Sequence, residues 1–103
     1  MRVVITNQSL DRLEEALSFY IEELEIPVEK VAGIKTQLLK RASSLSRNPH
    51  SGQFEPHLKK LKKGYRRIIA GNFKIIYRLE GEVIYITDFF DTHRPEIYSK
   101  YVK

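Results

Sequence analysis

Cysteine and tryptophan are both missing from this 103-residue sequence. Without cysteine there is no disulfide scaffold, no thiolate metal site and no cysteine nucleophile. No apolar run approaches the roughly 18 residues needed to span a bilayer, and no basic region followed by a hydrophobic one opens the chain. These absences lead us to expect a cytoplasmic protein with no membrane partner. Proline (four) and glycine (five) are sparse, and there is no internal repeat or low-complexity tract. With 42% hydrophobic residues, the chain has enough apolar material for one core and too little length for two, so a single domain over 1–103 is expected.

Acidic residues are scarce in one region only. Residues 1–30 carry a net charge of −4, residues 31–78 carry +11 and residues 79–103 carry −2. Glu55 is the sole acid of the middle stretch. Such a segment projects positive potential toward a phosphate-rich or acidic partner. The competing interpretation is a solvated lysine face.

Periodicity orders the elements. Arg2 to Thr6 is a short β-branched run that reads as a strand. Leu10, Leu13, Ala16, Leu17, Tyr20, Ile21 and Leu24 then recur at three and four, the stripe of an amphipathic helix with Ser9 as its expected N-cap. A second helix is predicted from Pro27, with Val28, Val31, Ala32, Leu38, Leu39, Ala42 and Leu45 buried and Asn48-Pro49 ending it. Two helices so closely joined should pack as an antiparallel hairpin. His50 to Leu58 reads as a loop. After the basic run Lys59, Lys60, Lys62, Lys63, residues 65–91 contain three strands split by Gly71-Asn72 and Glu80-Gly81, both short enough for hairpins. The tail from Arg94 is expected to form a short helix starting at Pro95. The class is therefore α+β: an N-terminal strand, a helical hairpin on an antiparallel sheet, and a short C-terminal helix.

Two-residue loops at both turns set Arg67 opposite Ile76, Tyr65 opposite Arg78, Arg78 opposite Val83, and Lys74 opposite Thr87. Alternation then gathers Ile68, Phe73, Ile75, Tyr77, Leu79, Ile84, Ile86 and Phe90 on a core face. The other face takes Tyr65, Arg67, Lys74, Ile76, Arg78, Tyr85, Thr87, Phe89 and Asp91. Cations interleaved with aromatic rings are suited to holding phosphates while stacking bases.

The element order, with Gly64-Tyr65-Arg66-Arg67, Gly71 to Arg78 and Phe89-Phe90-Asp91-Thr92-His93-Arg94, resembles the RelE/ParE superfamily of toxins from bacterial type II toxin-antitoxin systems. The resemblance covers nearly the whole chain and is strongest over 64–94. RelE-like members are ribosome-dependent endoribonucleases that cut mRNA in the ribosomal A site; ParE-like members inhibit DNA gyrase. Arg94 to Ser99 is similar to the end of the RelE-like nucleases, which implies that Tyr98 helps activate the nucleophile. The Asp91-Thr92 strand end is common in ParE-like sequences, where an arginine usually follows directly; here His93 takes that place and Arg94 comes one later.

Cleavage of RNA through its own 2′-hydroxyl needs a base, cations on the phosphate and an acid for the leaving oxygen, but no metal or other cofactor. Arg67, Lys74 and Arg78 are the candidate phosphate clamp. His93 is the candidate acid or base that titrates near neutrality, and Tyr98, with an unperturbed pKa near ~10, is the alternative base. Lys59, Lys60, Lys62, Lys63, Tyr65, Arg66, Tyr85 and Arg94 complete a candidate nucleic-acid surface. Each has a plainer role. His93 fits an ordinary surface histidine, Tyr98 an anchor for the tail, and Arg67 and Arg78 cross-strand partners for Asp91 and Glu82. The seven-residue spacing of His50 and His57 matches no metal motif.

The preferred expectation is an mRNA endoribonuclease toxin, with a non-catalytic gyrase inhibitor as the alternative and an inactive toxin fold as a third possibility. The resemblance also implies an acidic antitoxin that orders along the hairpin and the basic sheet face.

Overall fold

Thr6 is the first point at which strand and helix meet. The computed structural model describes residues 1–93, and in it β1 (Arg2–Ile5) passes through Thr6 directly into α1 (Asn7–Glu22). Thr6 is extended, at φ −67° and ψ 151°, and its Oγ1 accepts a hydrogen bond from the Ser9 amide at 3.2 Å. The helix therefore starts three residues before the expected position. Ser9 lies inside the first turn, its hydroxyl donating to the Thr6 carbonyl at 2.7 Å. Thr6 Oγ1 also donates to the Ile86 carbonyl at 2.8 Å, tying the cap to the sheet. Thr6→Ala is expected to cost about 1–2 kcal/mol in urea unfolding, the upper part of the range for a lost N-cap, because the same hydroxyl makes both bonds.

The second helix, α2 (Val28–Ser44), closes the hairpin. Leu13, Ala16, Leu17 and Tyr20 of α1 and Val31, Leu38, Ala42 and Leu45 on the α2 side are buried. Leu24, Val28 and Ala32 are exposed, and Ile34 packs against the core instead. No described helix is long and apolar enough to cross a membrane.

Five strands form one sheet in the order β1-β5-β4-β3-β2. Beyond β1 these are β2 (Gln53–Phe54), β3 (Arg66–Ala70), β4 (Phe73–Glu80) and β5 (Val83–Asp91). β2 to β5 form the expected antiparallel sheet, and the N-terminal strand β1 adds to it by pairing parallel to β5. The residues read as a loop hold β2 and a 3-10 helix, Pro56–Leu61. Two paired residues are too few to show alternation, so this edge strand left no sequence pattern. The expected C-terminal helix falls outside the described residues.

The first hairpin has the expected register, with Ile69 opposite Lys74 and Arg67 opposite Ile76. The second does not. Glu80 pairs with Val83, so the loop is Gly81-Glu82 and Arg78 faces Tyr85 rather than Val83. Gly81 (φ +61°) takes the first loop position, as Gly71 (φ +59°) does in the other hairpin, where a glycine carries positive φ without a Cβ penalty. This shift of two residues preserves alternation, and Ile84 and Ile86 stay in the core. A bulge on β5 at Thr87, facing the Ile76–Tyr77 step of β4, then puts Asp88 opposite Ile76 and Phe90 opposite Lys74. One extra residue reverses every later side chain. Phe89 consequently joins the helix-side core, and Phe90 packs with Leu58 and Ile76 on the other side. Thr87 sits in the bulge, its hydroxyl donating to the Ile76 carbonyl at 3.3 Å.

Candidate functional site

The sheet face away from the helices is covered by the strap of residues 53–65, whose anchor is Leu58. That side chain is buried with Ile76 and Phe90, and Leu61 and Tyr65 pack around them. The strap turns at Glu55, which caps the 3-10 helix by accepting from the His57 amide at 3.1 Å.

Glu55 is also the electrostatic centre of this face. Its side chain is fully buried, with His57 Nδ1 at 2.9 Å from Oε1, and Lys74 Nζ at 3.4 Å and Arg67 Nε at 3.7 Å from Oε2. Burial pushes the carboxyl up. The hydrogen bonds from His57 and the Lys74 ammonium outweigh this and hold it below its ordinary value of 4.5. The only acid in the +11 stretch is thus an internal counter-ion rather than part of the surface.

Of the candidate phosphate clamp, Arg67 and Lys74 do come together, around Glu55. Arg67 also donates from Nη1 to the Phe54 carbonyl at 2.8 Å. Arg78 pairs with Glu80 of its own strand rather than Glu82, and this bond favours its charged form. Its guanidinium lies 5.2 Å from the Tyr85 ring centroid. Arg66 donates to the Gly52 carbonyl at 2.8 Å and lies 4.2 Å from the Phe54 ring centroid. Of the rings expected to stack bases, Tyr85 carries the Arg78 guanidinium, Tyr65 packs into the Leu58 cluster and Phe89 is buried in the helix-side core.

His93 lies apart from this group. It follows β5 with its Nδ1 3.5 Å from the buried Asp91, and with Phe19, Tyr20, Leu24 and Ile26 it lines a cavity on the helix side. Because the bulge moves Asp91 opposite Phe73, Asp91 engages His93 and not Arg67 or Arg78 as the cross-strand reading had it. Tyr98 and Arg94 fall outside the described residues. Lys59, Lys60, Lys62 and Lys63 are all exposed along the strap.

Sequence reasoning missed Glu55 and His57 as site residues and Phe54 as a strand residue. The available signal was the isolation of one acid among twelve bases, followed at once by a helix-starting proline.

A further apolar groove of about 680 Å³ runs between α2 and the β3–β4 turn, lined by Tyr20, Ile34, Leu38 and Phe73 and rimmed by Lys30 and Arg41. Residues 3–95 match the family model described as the ParE toxin of the type II toxin-antitoxin system parDE. The chain belongs to the ParE toxin family. The fold agrees: a chain of the chromosomal ParDE toxin-antitoxin system from P. aeruginosa superposes with a TM-score of 0.72, at 18% identity, over 88% of this chain and 95% of that one. No curated protein matches the sequence. As a ParE-family toxin, the chain carries a five-stranded form of the sheet in which both the strap and the bulge shape the outer face.

Proposed function

We propose that this ParE-family toxin stops growth by inhibiting DNA gyrase without cutting nucleic acid, and that an acidic antitoxin neutralises it. The family match over residues 3–95 carries this reading. The site geometry supports it over the mRNA endoribonuclease. A scission centre needs cations and a titratable group around one phosphate. Here Arg67 and Lys74 are committed to Glu55, Arg78 to Glu80, and His93 to the helix side of the sheet.

The groove beside α2 suits the antitoxin. Its apolar floor and cationic rim match an amphipathic acidic segment that becomes ordered as it binds. The family neighbour from P. aeruginosa is itself part of a ParDE system.

Two assays run side by side decide the target. Purified toxin added to gyrase is expected to abolish supercoiling at micromolar concentration, while a cell-free translation reaction keeps its message intact and its output unchanged. A-site cleavage of the message with normal supercoiling would establish the ribosomal target and overturn this reading.

A further inference from the structure

The four strap lysines are absorbed by neither the fold nor the target reading. Lys59, Lys60, Lys62 and Lys63 are exposed, and none forms an ion pair with a described residue. The one acid near them in sequence, Glu55, is buried and faces Lys74, Arg67 and His57. Their charge is therefore uncompensated locally, although the backbone that carries them is firmly held. Leu58 is buried within the same 3-10 helix, Glu55 caps one end, and Lys62 closes the other in the left-handed region at φ 54° with its amide donating to Lys59 at 3.1 Å. Lys59 and Lys62 line one cleft of about 460 Å³ together with Phe54, Gly64 and Tyr65.

We propose that this strap is a docking surface for the phosphate backbone of duplex DNA, placed to hold the DNA segment on which the target works; the choice of duplex rests on the gyrase reading. Ammonium groups on flexible stems act as point charges that neutralise phosphates without reading sequence. Single-stranded RNA would instead call for open aromatic platforms. Phe54 and Tyr85 already carry Arg66 and Arg78, and Tyr65 packs against the Leu58 cluster. The strap cleft shares no lining residue with the groove beside α2, so an acidic protein segment in that groove leaves the strap open.

The test is fluorescence anisotropy of a labelled 20-base-pair duplex with the full chain, from 50 to 200 mM salt and without gyrase. Four phosphate contacts give a log–log salt slope of about −3 to −4 and about a 100-fold loss of affinity over that range. Replacing Lys59, Lys60, Lys62 and Lys63 by Gln should flatten the slope and weaken binding at 50 mM at least tenfold. Thermal unfolding of this variant should match the parent, because the replaced side chains are exposed. Absence of binding at 50 mM, an unchanged slope in the variant, or tighter binding to single-stranded RNA or poly-glutamate of equal length would each overturn the proposal. Gyrase is absent from the assay, so these results are separate from the supercoiling test. Binding to duplex together with normal supercoiling would remove the gyrase reading alone.

Discussion

Gly52→Ala is expected to destabilise the protein by about 3–5 kcal/mol or prevent folding, the sum of overpacking and a broken buried hydrogen-bond network. A Cβ at residue 52 would lie 2.5 Å from the Arg67 carbonyl oxygen and 2.6 Å from Tyr77 Oη. Neither neighbour can give way. The carbonyl belongs to β3, and the phenol belongs to a fully buried ring whose hydroxyl accepts from the Gly52 amide at 3.0 Å and donates to the Pro49 carbonyl at 2.9 Å. Tyr77 thus acts as a post that seats the chain before β2, and β2 in turn delivers Glu55. Tyr77→Phe is the milder probe. It leaves the ring and strips two backbone groups of their partner, at about 1–3 kcal/mol. Urea unfolding of both variants checks the order; Gly52→Ala as stable as the parent would show that this approach is not a real constraint.

Glu55→Gln is expected to cost about 2–3 kcal/mol, and it should also change how stability depends on pH. The amide still fits the cap, but it turns a donor toward Lys74 and Arg67 and leaves two cations facing a neutral group. The cost stays below that of a fully buried broken pair because both cations, and His57 more so, reach solvent. The direction with pH follows from linkage. The folded carboxyl sits below its ordinary 4.5, so its stabilisation is complete above that value and is lost as pH falls through the lower folded value. Parent stability should therefore drop more steeply than that of Glu55→Gln when the pH is taken below about 4.5. Parallel curves for the two proteins in acid urea titrations would show that Glu55 is not the group responsible. Because the strap turns at Glu55, the variant should also expose Leu58 to faster amide exchange.

Much of the fold was legible because helices and long strands repeat their pattern several times. The stripe from Leu13 to Tyr20 and the alternation from Phe73 to Tyr77 each bury successive residues on one side, and the structure puts them in one core. The Gly71-Asn72 turn was legible for a local reason, since a two-residue loop sets its own register. The Thr6 cap was missed by a short distance: Thr6 and Ser9 can both accept a first-turn amide, and only the Ile86 carbonyl selects between them.

The candidate site was less legible, and the bulge at Thr87 shows why. Nothing in Thr87-Asp88-Phe89-Phe90 announces an extra residue, because Phe89 and Phe90 are equally apolar and either one satisfies a core position. The choice falls to packing: Phe89 goes under the helices and Phe90 meets Leu58, a residue from a strap that alternation does not reveal. The same reversal takes Asp91 and His93 away from Arg67 and Lys74.

By itself, the order of residues determined two things about this protein: which segments are helix or strand, through periodic burial, and that its middle carries a large excess of positive charge. Only the tertiary structure decided where that charge is cancelled. A carboxylate neutralises the cations brought within a few ångströms of it, and that proximity is set by strand register, a bulge and the seating of Gly52 against Tyr77, none of which depends on distance along the chain.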